Sequence, residues 1–190
     1  MAEPGGPSVP RGARLAVDVG TVRVGLAASD ADGLVATPVA TLARAARPAP
    51  GAAWPADVAT IVAEVEERGA QVVYVGLPRH LNGSEGSSSA AARAYAEALA
   101  SAVAPVAVRL VDERMSTVSA HRALREAGRA GRKHRQVVDQ AAAVVILTTA
   151  LDAERATGRR SGEPVRPRVE HGQRRAAGAP ADPTDAEDRT

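Results

Sequence analysis

LAVDVGTVRVGLAASD, residues 15–30, decides the fold. Residues 14–19 and 22–29 are two short β-rich runs parted by Gly20 and Thr21, the pattern of a β-hairpin. Residues 34–42 continue as a third strand, and Pro38 within it fits only an edge or a bulge. Beyond the loop 43–55, which Trp54 would pin, the grammar changes. Residues 56–68 carry apolar side chains at helical spacing and stop at Gly69, and QVVYVG (71–76) is a short, continuously apolar strand. An Ala-rich helix (87–103) and a second buried strand (106–111) follow. Residues 116–127 read as a helix capped by Ser116 or Thr117, and 136–151 as a strongly apolar last helix. The order β-β-β-α-β-α-β-α-α predicts an α/β fold. Antiparallel strands come first, crossovers then add parallel ones, and the result is a mixed five-stranded sheet with helices on both faces.

Composition bounds what such a domain does. A chain of 190 residues suits one domain with tails, expected at 13–154 with disordered ends at 1–12 and 155–190. Thr157 to Thr190 holds seven Arg, six acids and four Pro with almost no large apolar side chain, so it cannot build a core. The absence of cysteine removes disulfides, thiolate nucleophiles and Cys-based metal knuckles. No apolar run approaches the ~18 residues of a membrane helix, and the first residues lack a basic-then-apolar leader. A cytoplasmic, reducing location with no membrane partner is expected. From Arg109 to Arg135 eight bases face three acids, whereas the remainder of 13–156 has eight bases against twelve acids. A basic segment on an acidic body is the layout of a phosphate-binding face, or else of a solvated Arg-rich helix.

Three acids stand where chemistry is possible. Asp18 closes the first strand ahead of Gly20 and Thr21, where it either serves a site that accepts phosphate or metal, or caps the turn. Asp112-Glu113-Arg114 follows the last strand directly, either at the sheet end where open α/β folds gather ligands or as a solvated loop whose acids offset a helix macrodipole. Asp139 shares a helix face with Ala142, Ala143 and Ile146, and an ionised carboxylate there needs an arginine or a metal ion. Taken together, crowded carboxylates favour a divalent cation as their neutraliser. Oxygen donors without Cys or suitably spaced His select Mg²⁺ or Mn²⁺. Such an ion activates water against phosphodiesters.

Four stretches, LAVDVGTVRVGLAASD (15–30), VVYVGLPRHLNGSEG (72–86), LVDERMSTVSA (110–120) and VVDQAAAVVIL (137–147), resemble the YqgF family of pre-16S rRNA nucleases. That family, also called RuvX, belongs to the RuvC-like Holliday junction resolvase group. The resemblance implies a ribonuclease H-like fold and an acidic metal site of Asp18, Glu113 and Asp139. It also implies nuclease processing of the 5′ end of pre-16S rRNA. Around that site Arg23, Arg114, Arg132, Lys133 and Arg135 are expected to meet nucleic acid, with Gly20 and Thr21 forming the phosphate-side turn. Asn82 either touches substrate or makes the Asn82-Gly83 turn. Arg114 either forks onto a phosphate or pairs with Asp112 or Asp139. Residues 129–135 are expected as a basic loop for backbone contact, with His134 a proton shuttle or merely solvated.

Two departures qualify the expectation. Junction resolvases of this fold often carry a fourth carboxylate one turn from the last Asp, but Gln136, Ala142 and Ala143 stand there; Asp112 either substitutes or faces away, as neighbours on a strand do. Trp54 and two Tyr provide no stacking platform, so recognition by shape and charge is expected. The expected activity is metal-dependent hydrolysis of structured RNA, pre-16S rRNA above all, with a ribosome-associated partner. The alternatives are a dimeric resolvase of branched DNA, an ATP-dependent phosphotransferase and a weakly catalytic RNA-binding assembly factor. Monomer and homodimer stay open.

Overall fold

The computed structural model describes residues 9–80, 82–115 and 132–167, with Met115 and residues 132–138 as backbone alone. Strands β1 (Arg14–Val19), β2 (Arg23–Ser29) and β3 (Ala36–Ala43) form the expected antiparallel meander. Helix α1 (Ala56–Arg68) leads to β4 (Val72–Leu77), and α2 (Ser87–Ala102) leads to β5 (Ala107–Asp112). A 3₁₀ turn, Glu113–Met115, leaves β5, and α3 (Arg132–Thr157) crosses back over the sheet. β4 and β5 add in parallel beside β1, as the crossovers predict. Pro38 lies on the edge strand, where the β2–β3 register shifts between Leu26 and Ala27.

The sheet has six strands, not five, in the order β3-β2-β1-β4-β5-β6. β6 (Glu163–Pro164) comes from the stretch assigned to the tail, and pairs antiparallel to β5 through Leu110↔Glu163 and Arg109↔Pro164. Two residues carry no period to read, and proline is tolerated because this strand is an edge. Arg109, counted in the basic segment, spends its guanidinium on the Ser161 and Gly162 carbonyls. The last helix is also longer at both ends than its apolar pattern. It takes up Arg132 to Arg135, expected as a loop, in its first turn, and it runs on to Thr157. The expected helix 116–127, the basic residues 129–131 and the chain beyond 167 lie outside the described residues.

Alternation divides the sheet into two chemically different faces. Leu15, Val17, Leu26, Val73, Val75 and Leu110 meet α1 and α2, with Ile61 and Leu99 fully buried among them. Each such side chain contributes about 1.5–3 kcal/mol through burial. The opposite face is built from smaller residues, Ala16 and Ala27 beside Tyr74, and α3 packs on it with Ala143, Ile146 and Leu147. Small side chains allow α3 to approach the sheet closely, and this closeness shapes the site.

Candidate active site

β1 turns Leu15 and Val17 to one face and Ala16 to the other, so Asp18 points toward α3, at 8% exposure. Its partner across the hairpin is Gly25. A Cβ on Gly25 would lie 2.1 Å from the Asp139 carbonyl oxygen, so α3 sets Asp139 directly over the residue beside Asp18. On the other side of β1, Val17 pairs with Val75, which brings Gly76 level with Asp18. A Cβ on Gly76 would lie 2.8 Å from Glu113 Oε1 and 2.5 Å from Ile146 Cδ1. Glu113 therefore leans back over β4 into space that only glycine leaves. Acids from β1, from the end of β5 and from α3 thus gather around two glycines at one end of the sheet.

The three do not form a finished cage. Among the described residues, no three acidic or imidazole side chains stand together as a ready metal site. Asp139 Oδ2 instead lies 3.7 Å from Arg23 Nη1. The donor chemistry itself, carboxylate oxygens only, suits a hard divalent cation.

Other expected residues have structural partners. The Gly20 amide donates to the Arg23 carbonyl at 2.9 Å, and Arg44 Nη1 donates to the Gly20 carbonyl at 2.8 Å, fixing the turn while Thr21 stays exposed at its tip. Asn82 Oδ1 accepts from the Ser84 amide at 3.0 Å and its hydroxyl at 2.7 Å, which is the turn role. Arg114 pairs with Asp112 at 2.7 Å, and its amide donates to the same carboxylate at 2.9 Å. The Arg114 guanidinium holds the Asp112 carboxyl below its ordinary range, and Arg79 Nε stands 3.8 Å away. Asp112 is thus engaged by arginine. Arg132, Lys133 and Arg135 lie in the opening turns of α3, ahead of Asp139, with their side chains and that of His134 outside the description.

Sequence reasoning passed over Gly25 and Gly76, although a glycine inside an apolar strand signals close approach. It also passed over Arg79, which bonds Glu85 at 2.8 Å. Glu85 is gripped in turn by Arg93 at 2.7 Å, and Arg93 reaches Glu163 of β6 at 3.0 Å. That chain ties the 80–86 loop to the sheet edge. No sequence pattern announces it, because it joins residues up to 70 positions apart.

Residues 12–153 match the RuvX family, described as Holliday junction resolvase. The chain belongs to the RuvX family. Its relatives include a Nocardioides sp. protein named "Putative pre-16S rRNA nuclease", 53% identical over 80% of this chain and 95% of that one. Proteins of the same name from Kineococcus radiotolerans (55%, covering 81% and 78%) and Leifsonia xyli (52%, covering 83% and 97%) are similarly close. Among solved structures, T. thermophilus RuvC in complex with a Holliday junction substrate is 16% identical, with a TM-score of 0.46 over 80% of this chain and 99% of that one. The sheet order, three antiparallel strands extended by two parallel ones with helices on both faces, is the ribonuclease H-like arrangement expected of a RuvX chain.

Proposed function

We propose that this RuvX chain is a nuclease that hydrolyses phosphodiester bonds in structured RNA, with the 5′ side of precursor 16S rRNA as its substrate. The observation that carries the reading is the gathering of Asp18, Glu113 and Asp139 around Gly25 and Gly76. The name shared by relatives above 50% identity supports the choice of substrate. A binding protein would gain nothing from three acids beside a polyanion, since each repels phosphate.

Asp18 and Glu113 would hold a Mg²⁺ or Mn²⁺ ion, with Asp139 completing the donor set. When bound, the ion supplies Lewis-acid activation of water and neutralises charge at the scissile phosphate. The protein's own contribution is position. Asp18 is fixed by the pairing of β1 on both sides, and Glu113 by the hollow over Gly76. The basic start of α3, with Arg132, Lys133 and Arg135, would hold RNA phosphates and orient the backbone without reading bases. The setting would be the cytoplasm; no described helix is long and apolar enough to cross a membrane.

Asp18→Asn should reduce Mg²⁺- or Mn²⁺-dependent cleavage of precursor rRNA more than ~100-fold, beyond the loss typical of a supporting residue. Thermal stability should stay equal or rise, because a crowded charge is removed. Wild-type rates in the variant would overturn the site. A second reading, resolution of four-way DNA junctions, draws on the description of the matched family. It needs two symmetric sites, so sedimentation on a junction separates the two, persistent monomer counting against resolution.

A further inference from the structure

Arg23 is the first residue of β2 and shares a face with Gly25 and Ala27, the face on which α3 packs. Its guanidinium approaches Asp139 at 3.7 Å, beyond hydrogen-bond length, with both side chains about 30% exposed (29% and 28%). Compare Arg14, which holds Glu154 by two nitrogens at 3.1 Å with both side chains buried. A buried pair in which two nitrogens share one carboxylate oxygen is fixed structure, whereas a longer pair with both side chains more than a quarter exposed is cheaper to break. Arg23 thus places a guanidinium in contact with one of the three site acids.

We propose that Arg23 is an exchangeable counter-ion: it neutralises Asp139 in the ion-free protein and yields it when a divalent cation enters. The displaced guanidinium then faces the groove and pairs with a substrate phosphate. This rests on the metal-site reading above and adds a regulation of that site. The same arginine opposes ion loading in the absence of RNA and favours the complex once phosphate arrives, so cation and substrate bind cooperatively through one side chain. It also explains why the acids are not preassembled: the acid on α3 is turned to a cation the chain supplies itself.

The test is Mn²⁺ titration of the full chain by calorimetry, without RNA and without turnover, for wild type, Arg23→Gln, Arg23→Lys and Asp18→Asn. Arg23→Gln should bind Mn²⁺ about three-fold more tightly, the scale of a half-exposed ion pair. Arg23→Lys, which keeps the charge, should stay near wild type. With Mn²⁺ saturating, Arg23→Gln should bind a cleavage-resistant phosphorothioate RNA more weakly than wild type. Unchanged or weaker Mn²⁺ affinity in Arg23→Gln overturns the counter-ion role. If Asp18→Asn still loses affinity in that case, the metal site stands and only the role of Arg23 falls. No Mn²⁺ binding by wild type overturns both.

Discussion

Helix α3 carries Asp139 near its start and Glu154 near its end, and these two acids are treated in opposite ways. At the far end Glu154, 4% exposed, accepts from Arg14 at 3.1 Å, from Arg160 at 2.8 Å and from the Tyr74 hydroxyl. Arg14 itself also donates to the carbonyls of Gly12 and Ala31. Each side chain of this cluster has at least one fixed partner within the fold. At the near end the Asp139 carboxylate lies 3.7 Å from Arg23, with its side chain 28% exposed. The same helix thus buries one carboxylate in the fold and leaves the other partly exposed beside Arg23. A buried carboxylate with several short partners is fixed, whereas the counter-ion proposal needs the Arg23–Asp139 pair to exchange.

Breaking the saturated end should have the largest effect on stability. Glu154→Gln leaves the Arg14 guanidinium buried without its counter-charge, and urea denaturation should show a loss of about 3–5 kcal/mol. Cleavage per folded molecule should be unchanged, because the site lies at the other end of the helix. A loss below ~1 kcal/mol would erase the distinction between the two ends.

Gly25→Ala tests the near end. The added Cβ would press on the Asp139 backbone oxygen at 2.1 Å, and backbone cannot rotate aside as a side chain can. Overpacking of this kind costs about 1–3 kcal/mol. Here it should also lift Asp139 from Asp18 and lower cleavage more than the stability loss explains. Thermal melting and initial rates on one preparation would separate the two effects.

The smallest effect is alkaline. Burial first, then the bond to Glu154, pushes the Tyr74 phenol well above its ordinary value, and burial with the Asp57 charge does the same to Tyr95. The folded chain keeps protons that the unfolded chain releases, so this contribution is complete below about pH 10 and is lost as pH rises beyond it. Urea midpoints at about pH 8 and about pH 11 should differ, and Tyr74→Phe should shrink that difference. An unshifted phenolate absorbance titration would contradict the buried cluster.

How much of this was legible beforehand varies by element. The hairpin around Gly20, the stop of α1 at Gly69 and the apolar β4 were written in local pattern, because turn chemistry and side-chain period act over a few residues. Pro38 announced an edge strand for the same reason. β6 was not legible: Glu163 and Pro164 become a strand only because Arg109 and Leu110 offer them an open edge. The acids at 18, 113 and 139 were legible as odd residues at strand ends and on an apolar stripe. Their partners were not. The Arg114–Asp112 pair was one of two open roles, and the Asn82 turn one of two others; only the folded geometry chose between them.

Sequence alone determined the first five strands and the first two helices, their order and which three carboxylates are out of place, because these follow from short-range sterics and burial. Tertiary structure decided that the three carboxylates gather and that Asp139 meets Arg23. Those depend on α3 settling onto Gly25 and Gly76, a contact between positions more than 60 residues apart for Gly76 and more than 100 for Gly25, which no local pattern encodes.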